Sequence, residues 1–597
     1  MEYTSRDQID ERYRWDLTDM FESDEAFEQA LAKAQDLPAR YASYQGKIAS
    51  SPSKLLEFMQ MDDEASVELG KLSNYSQRKA DEDTRISKYQ AYAAQVMTLY
   101  TQVSSAAAWF STELLTLSEE QMEAFYAEEP GLTLYRRIFE REFRMREHTL
   151  SGPEEIILAR ASDMAAQPDN IYSLFSDADL SFADAIDAQG NAHPVTHGTF
   201  VPLEMSPDRT LRKSAYESMY ASYGQFRNTC AATLNAQLKQ LKFFADTRKY
   251  PSTLAYCLDG TEVPTEVYTN LIKAVHENMQ PMYDYVALRK KRMGLDELHF
   301  YDIYVPIVED VDMEFTYDEA CELILKALEP MGPDYLALVK KGLSERWVDV
   351  YETPGKRSGG YSAGTYGTHP VVLLNFQGKL DDVFTLIHEM GHSIHTYLSC
   401  ENQPVCYSDY VIFVAEVAST CNEALLTQYL LDNTDDPKKR AYVLNHFLEQ
   451  FKSTLYRQCM FAEFELQANQ MLENGQAITA DALCAAYRKL NEEYFGPDIV
   501  VDDEIALEWA RIPHFYYQYY VYQYSTGFAA AIALSRRILN EGPAAVEDYL
   551  GFLKGGSSKT PLELLRGAGV DMSTPEPVEE ALSYFGELVE EMKQTLA

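Results

Sequence analysis

The sequence predicts a mainly α protein built as more than one lobe. Its 597 residues exceed what a single hydrophobic core organises, about 250–300 residues. Apolar residues recur every three or four positions over long stretches, the spacing that gathers them on one helical face. Segments with β-like texture are short and few.

Composition supports packed structure and narrows the partners. Hydrophobic residues make up 46% and aromatic residues 12% of the chain, which argues against global disorder. Lys and Arg number 52 against 93 Asp and Glu, for a formal charge of −41. Such a surface repels phosphate backbones and anionic lipid, so neither nucleic acid nor membrane is expected as a partner. The opening MEYTSRDQIDERYRWDL is charged throughout and lacks an apolar core, so no secretory signal is expected. No run of about 18 uncharged apolar residues suggests a membrane span. The eight cysteines are scattered without CxxC pairs, as expected of reduced thiols in a cytoplasmic protein. Nothing in the sequence assigns an oligomeric state.

Taken in order, the first 150 residues read as helix after helix. Ile86, Tyr89, Ala93, Val96, Tyr100, Val103 and Ala107 form one stripe at helical spacing. Pro130-Gly131 interrupts the pattern. Ser151 and Glu154 have the spacing of a capping box, with Pro153 tolerated in the first turn. From about 174 to 204 the texture turns β-like, with a turn at Gly190-Asn191. Helical pattern resumes at Ser206-Pro207 and continues to about 345, broken by a β-like run over 299–307. No repeat or long linker marks a border, and the main lobe boundary is expected near 190–205, dividing the chain into 1–195 and 196–597.

Chemistry concentrates in residues 386–398, LIHEMGHSIHTYL, in a chain with only 11 histidines. HEMGH fits H-E-x-x-H. On a helix, His388 and His392 share a face and can offer two imidazole nitrogens to one zinc, with Glu389 beside them as a proton acceptor. Val383, Leu386, Ile387, Met390, Ile394 and Leu398 would form the apolar side of that helix, and Asp381 and Asp382 sit near its start. HPVTH (193–197) also spaces two histidines by four. It lies in β-like texture, where such residues are too far apart to share a metal in the same way, and it lacks the glutamate. His193 and His197 are read as surface or packing residues.

A third ligand is needed. The three-histidine pattern HExxHxxGxxH is absent, since His395 and Leu398 occupy the Gly and last His positions. The two-histidine class takes a carboxylate from a following helix. Glu416 is the only charge in VIFVAEVAS (411–419), and a buried carboxylate needs a cation or metal beside it. Glu423, two turns further along the same face, has the placement to hydrogen-bond a ligand histidine.

HEMGHSIH together with FVAEVASTCNEALL resembles the thimet-oligopeptidase-like family of zinc peptidases, in its oligoendopeptidase F branch. RYRWDLTDMF resembles that branch's N-terminus, and PGKRSGGYSAGTYGTHPVVLLNF and IPHFYYQYYVYQYSTGFAAA resemble its catalytic half. The likeness implies a neurolysin-like fold with a gluzincin catalytic core. Two helical lobes would enclose a deep substrate channel, with a small β-sheet near the active site. It implies an N-terminal helical lobe of oligopeptidase F type over 1–195 and a zinc metallopeptidase domain over 196–597. Matched by motif, His388, His392 and Glu416 are the ligands of one Zn2+ and Glu389 is the general base. QYYVY matches a motif whose tyrosine hydroxyl faces the substrate oxygen, making Tyr522 the oxyanion donor, with His514 and Tyr519 in support.

The glycine-rich loop 355–367 precedes a β-like run, not a helix, which excludes a phosphate-binding loop. It reads instead either as a mobile loop ahead of an edge strand near Val371–Asn375, where an extended peptide could add by main-chain hydrogen bonds, or as an ordinary flexible hairpin connection. The expected activity is a zinc-dependent endopeptidase acting on oligopeptides. A zinc carboxypeptidase and a non-catalytic peptide-binding protein are the alternatives.

Overall fold

The computed structural model describes residues 3–308, 311 and 313–596. Helices dominate, and the strands among the described residues are two or three residues long. The chain forms two compact units from interleaved segments. The first comprises Met1–Gly152, Met313–Leu426 and Leu534–Gly569; the second comprises Pro153–Asp312, Thr427–Ala533 and Val570–Ala597. Each unit collects segments far apart in the chain.

In the first unit, helix α1 (Pro52–Glu82) begins where the Ser51 side chain caps the Lys54 amide, with Pro52 in its first turn. It packs on the helix Ser87–Ala107. That second helix buries Tyr92, Val96, Leu99 and Val103. The stripe is rotated from the expected one: Ile86 is 40% and Tyr100 38% exposed. Leu99 and Tyr92 displace them because several neighbouring helices set the buried face: besides α1, the helix Leu37–Tyr44 packs on it, and Phe27 meets Tyr92 with ring centroids 4.6 Å apart.

A small sheet lies under this helical core. Strand β1 (Val348–Asp349) pairs parallel with β3 (Val371–Leu373), and β2 (Tyr361–Ala363) pairs antiparallel on its other side. The order β1-β3-β2 makes β3 central, which corrects the expectation of an edge strand near 371–375. Every side chain of β3 is buried, and Val371 and Leu373 join the core built from helices of the first 140 residues. A strand apolar on both faces suits an interior position. The outer side of β1 is occupied as well: the Val350 amide donates to Tyr13 O at 3.0 Å and the Asp16 amide to Arg346 O at 2.8 Å. Beneath β1, the buried Asp349 carboxylate meets Lys356 Nζ at 2.7 Å and the Arg6 guanidinium. This anchors the root of the glycine loop.

Helix α2 (Leu380–Asn402) follows. Asp382 Oδ2 accepts the backbone amides of Gln377 at 3.1 Å and Lys379 at 2.9 Å, closing its N-terminus. Val383, Leu386, Ile387, Met390, Ile394 and Leu398 are all buried, as their spacing predicts. Helix α3 (Ile412–Asp432) comes next. Gly391 lets α2 and α3 touch: a Cβ there would lie 2.6 Å from Ser419 Cα and 2.8 Å from Ala418 O. Asn422 secures the contact, donating to Ile387 O at 3.3 Å and accepting from Tyr335 Oη at 3.0 Å.

The second unit is a helical body with two small two-stranded sheets. The β-like expectation for 174–204 holds only at 185–186 and 192–193, joined through the turn at Gly190. His197 opens a helix, where its ring meets Ser176 Oγ at 3.2 Å. His193 Nε2 bonds Asp187 at 3.0 Å. Over 299–307 the strand is confined to its start, Leu298–His299, and a 3-10 turn follows at Phe300–Asp302. Asp302 accepts the His299 amide at 3.1 Å and pairs with Arg209 at 2.9 Å and Arg212 at 2.8 Å. Among the described residues, no helix is long and apolar enough to cross a membrane.

Candidate metal centre

Two turns of α2 and one of α3 bring three donors together in the first unit. His388 Nε2 and His392 Nε2 are 3.1 Å apart, and Glu416 Oε2 is 3.3 Å from each. A tetrahedral zinc with bonds of about 2.0–2.1 Å requires donor separations of about 3.3 Å. The spacing and the two-imidazole, one-carboxylate chemistry both fit such an ion. Glu416 is partly rather than fully buried. Its side chain is 39% exposed, because it leaves the apolar stripe of α3 to face the histidines.

His388 is oriented from behind. Its Nδ1 lies 2.6 Å from Glu423 Oε1, whose side chain is 14% exposed. That contact leaves Nε2 for a metal and raises the basicity of the ring. Burial works against a charged His388, yet Glu416 and Glu423 outweigh it and raise the ring to about 10. Burial raises the Glu416 carboxyl, but its contacts with His388 and His392 outweigh this and hold it well below the usual carboxylate range.

Glu389, one residue after His388, is 7% exposed. Burial raises its carboxyl; His388 and His392 lower it, Glu416 raises it, and the Ser362 backbone amide lowers it. Ser362 belongs to β2, and its Oγ sits 2.8 Å from Ser393 Oγ on α2. Sequence patterning did not single out this serine, which is recognisable only once β2 is paired. His395 is buried and stacks flat on Tyr410 with ring centroids 3.8 Å apart. It belongs to the wall of the site and not to the donor set.

His514, Tyr519 and Tyr522 belong to the second unit. Tyr522 opens the helix Tyr522–Glu541, is 2% exposed, and packs on Tyr268 with centroids 5.0 Å apart. Tyr519 is equally buried, with φ of 58° and its hydroxyl 3.1 Å from Thr253 Oγ1. Gln518 also has positive φ, so two consecutive non-glycine residues adopt the left-handed conformation, strained backbone that persists only when its surroundings enforce it. Glu465 does so by accepting the Tyr519 amide at 2.6 Å. The phenols with more open side chains are Tyr517, Tyr520 and Tyr524, which surround His514 at ring distances of 5.5, 6.5 and 6.1 Å.

A second group of potential donors, His276, Glu463 and Glu493, lies elsewhere in this unit. There His276 and Tyr494 both bond Glu463, at 2.6 and 2.8 Å. An ion pair with a tyrosine hydroxyl accounts for His276 and Glu463.

Comparison with known proteins places these features in a family. Residues 203–584 match the model of peptidase family M3, and residues 113–182 match that of oligopeptidase F. The chain is 44% identical to oligopeptidase PepF of Bacillus subtilis (strain 168) over 99% of its length and 88% of that protein. It is 41% identical to group B oligopeptidase PepB of Streptococcus agalactiae, covering 99% of this chain and 98% of that one. Among solved structures, oligoendopeptidase F from Enterococcus faecium superposes with a TM-score of 0.76 at 35% identity, over 96% of this chain and 99% of that one. The chain belongs to peptidase family M3, in its oligopeptidase F branch, and is a metalloendopeptidase.

Proposed function

We propose that the protein is a zinc-dependent endopeptidase that hydrolyses internal bonds of unstructured oligopeptides. One observation carries the reading: His388, His392 and Glu416 converge at tetrahedral donor spacing beside Glu389. One Zn2+ per chain, held by these three residues, would supply Lewis-acid polarisation and make water acidic near neutral pH. Glu389 takes the proton of the attacking water and returns it to the leaving amine, the two-way transfer that a carboxylate with a raised pKa performs. Glu423 keeps His388 in the ligating tautomer.

An extended substrate is held by main-chain hydrogen bonds along β2. Of the sheet's two flanking strands, β1 is covered by the N-terminal segment, and β2 carries the serine that faces Glu389. In this reading 1–195 is the oligopeptidase F helical part and 196–597 the catalytic part, and the enzyme works in the cytoplasm. The eight cysteines are all free, in keeping with a reducing compartment.

Tyr522 is proposed as oxyanion donor on the motif, with His514 and Tyr519 supporting it. A specific observation favours a second assignment: Tyr522 and Tyr519 are buried in their own unit, while Tyr520 beside His514 is more open. A hydroxyl that meets substrate must be reachable. Tyr520→Phe lowering kcat far more than Tyr522→Phe would select Tyr520; the reverse order would keep Tyr522.

The function is tested by mass spectrometry of products from peptides with amidated C-termini, with and without a chelator. Internal cleavage abolished by the chelator and restored by zinc is expected. Cleavage only of peptides with a free C-terminus would make the enzyme a carboxypeptidase. Stoichiometric zinc without turnover of any peptide would make it a binding protein.

A further inference from the structure

A cavity of 440 Å³ lies in the first unit, with its lining on α2 beginning one turn beyond His392. Asp62 and Asp63 of α1 line it, with Thr365 after β2, Thr396 of α2, and Asp409 and Tyr410 between α2 and α3. Thr396 is four residues beyond His392, one turn along the same helical face and about 6 Å further on. Thr365 is two residues beyond the end of β2. At about 3.3 Å per residue, a peptide paired with β2 reaches this cavity with a side chain about two residues from the bond being cut.

The walls are held in place. A Cβ on Gly70 of α1 would lie 2.3 Å from Thr365 Oγ1, so α1 and the loop are in close contact. Tyr410 Oη sits 2.9 Å from Thr396 Oγ1. Val67 and Ile138 add apolar lining, suited to the methylene stem of a long cationic side chain.

The carboxylates in this cavity have neutral partners among the described residues. Asp62 accepts from Tyr41 Oη at 2.5 Å, Asp63 from Tyr135 Oη at 2.7 Å, and Asp409 from the Tyr410 amide at 2.8 Å. Burial raises the carboxyls of Asp62 and Asp63, the effect of desolvation without a compensating cation. A bound ammonium or guanidinium would supply that compensation.

Building on the endopeptidase reading, we propose that this cavity is a substrate subsite that selects Lys or Arg, with Asp62, Asp63 and Asp409 as the selecting residues. The test uses peptides differing only by Lys, norleucine or Glu at each position within two residues of the scissile bond. Wild type is expected to prefer Lys over norleucine in kcat/KM by about tenfold at one position, less at high salt. The Asp62→Asn, Asp409→Asn double variant should lower that ratio toward one, and Asp63→Lys, which removes one carboxylate and offsets another, should lower it as well. If substitutions on α1 prevent folding, Asp409→Asn alone, in an exposed loop, should still reduce the ratio. A wild-type enzyme without preference for Lys at any position, or variants that retain the wild-type ratio, would overturn the subsite. Internal cleavage of the norleucine peptide with a flat Lys ratio would remove the subsite alone, whereas no internal cleavage of any peptide would remove the endopeptidase reading with it.

Discussion

Gly391 of α2 and Ser419 of α3 approach so closely that a single added methyl carbon would lie 2.6 Å from the Ser419 Cα. This contact brings Glu416, three residues before Ser419, within reach of His388 and His392. The glycine in HEMGH is therefore a packing requirement of the donor cluster.

Gly391→Ala should both destabilise the protein and weaken its metal binding. The clashing atoms belong to backbone and cannot rotate away, so the cost is that of overpacking, about 1–3 kcal/mol. A lowered melting temperature together with a lower zinc affinity in a chelator competition is the expected result. Unchanged zinc affinity would mean that Glu416 is placed independently of this contact.

Glu423→Gln should reduce zinc affinity about 10–100-fold with little change in fold, since it weakens the partner of His388 Nδ1 and leaves all three donors. Competition against a chelator of known affinity measures this. An affinity equal to wild type would confine Glu423 to packing.

Much of this centre was legible in the sequence because its evidence is local. HExxH spacing, the apolar face of α2 and the isolated charge at Glu416 all follow from helical periodicity. The rest depends on partners distant in the chain. Whether 371–373 is central or at an edge depends on strands at 348 and 361, and neither run announces its pairing. The stripe on Ser87–Ala107 differs from the expected one because α1 and the helices before it together select which residues are covered. The partial exposure of Glu416 follows from where α2 sits, which no pattern within 411–419 encodes.

Protonation of Glu465 should make stability fall between about pH 4.5 and pH 8. Burial raises this carboxyl from its ordinary 4.5 to about 8, against the hydrogen bond from the Tyr519 amide. Between those values the folded chain holds a proton that the unfolded chain has lost. Stability is then full below about 4.5 and declines up to about 8, by at most about 1.4 kcal/mol per pH unit. Burial raises Glu204 to about 8 as well, so it shares this window. Glu465→Gln should therefore flatten only part of the dependence of melting temperature on pH. An unaltered slope would mean that Glu465 is ionised in the fold.

The central claim, that Glu389 moves protons beside a zinc held by other residues, is tested most directly by measuring metal content and turnover together in Glu389→Gln. Gln preserves shape and leaves His388, His392 and Glu416 intact, so one zinc per chain should remain. Loss of the proton acceptor should lower kcat by at least about 10²–10⁴-fold. Loss of zinc along with activity would make Glu389 part of the metal's support, and retention of near wild-type turnover would place the proton acceptor elsewhere.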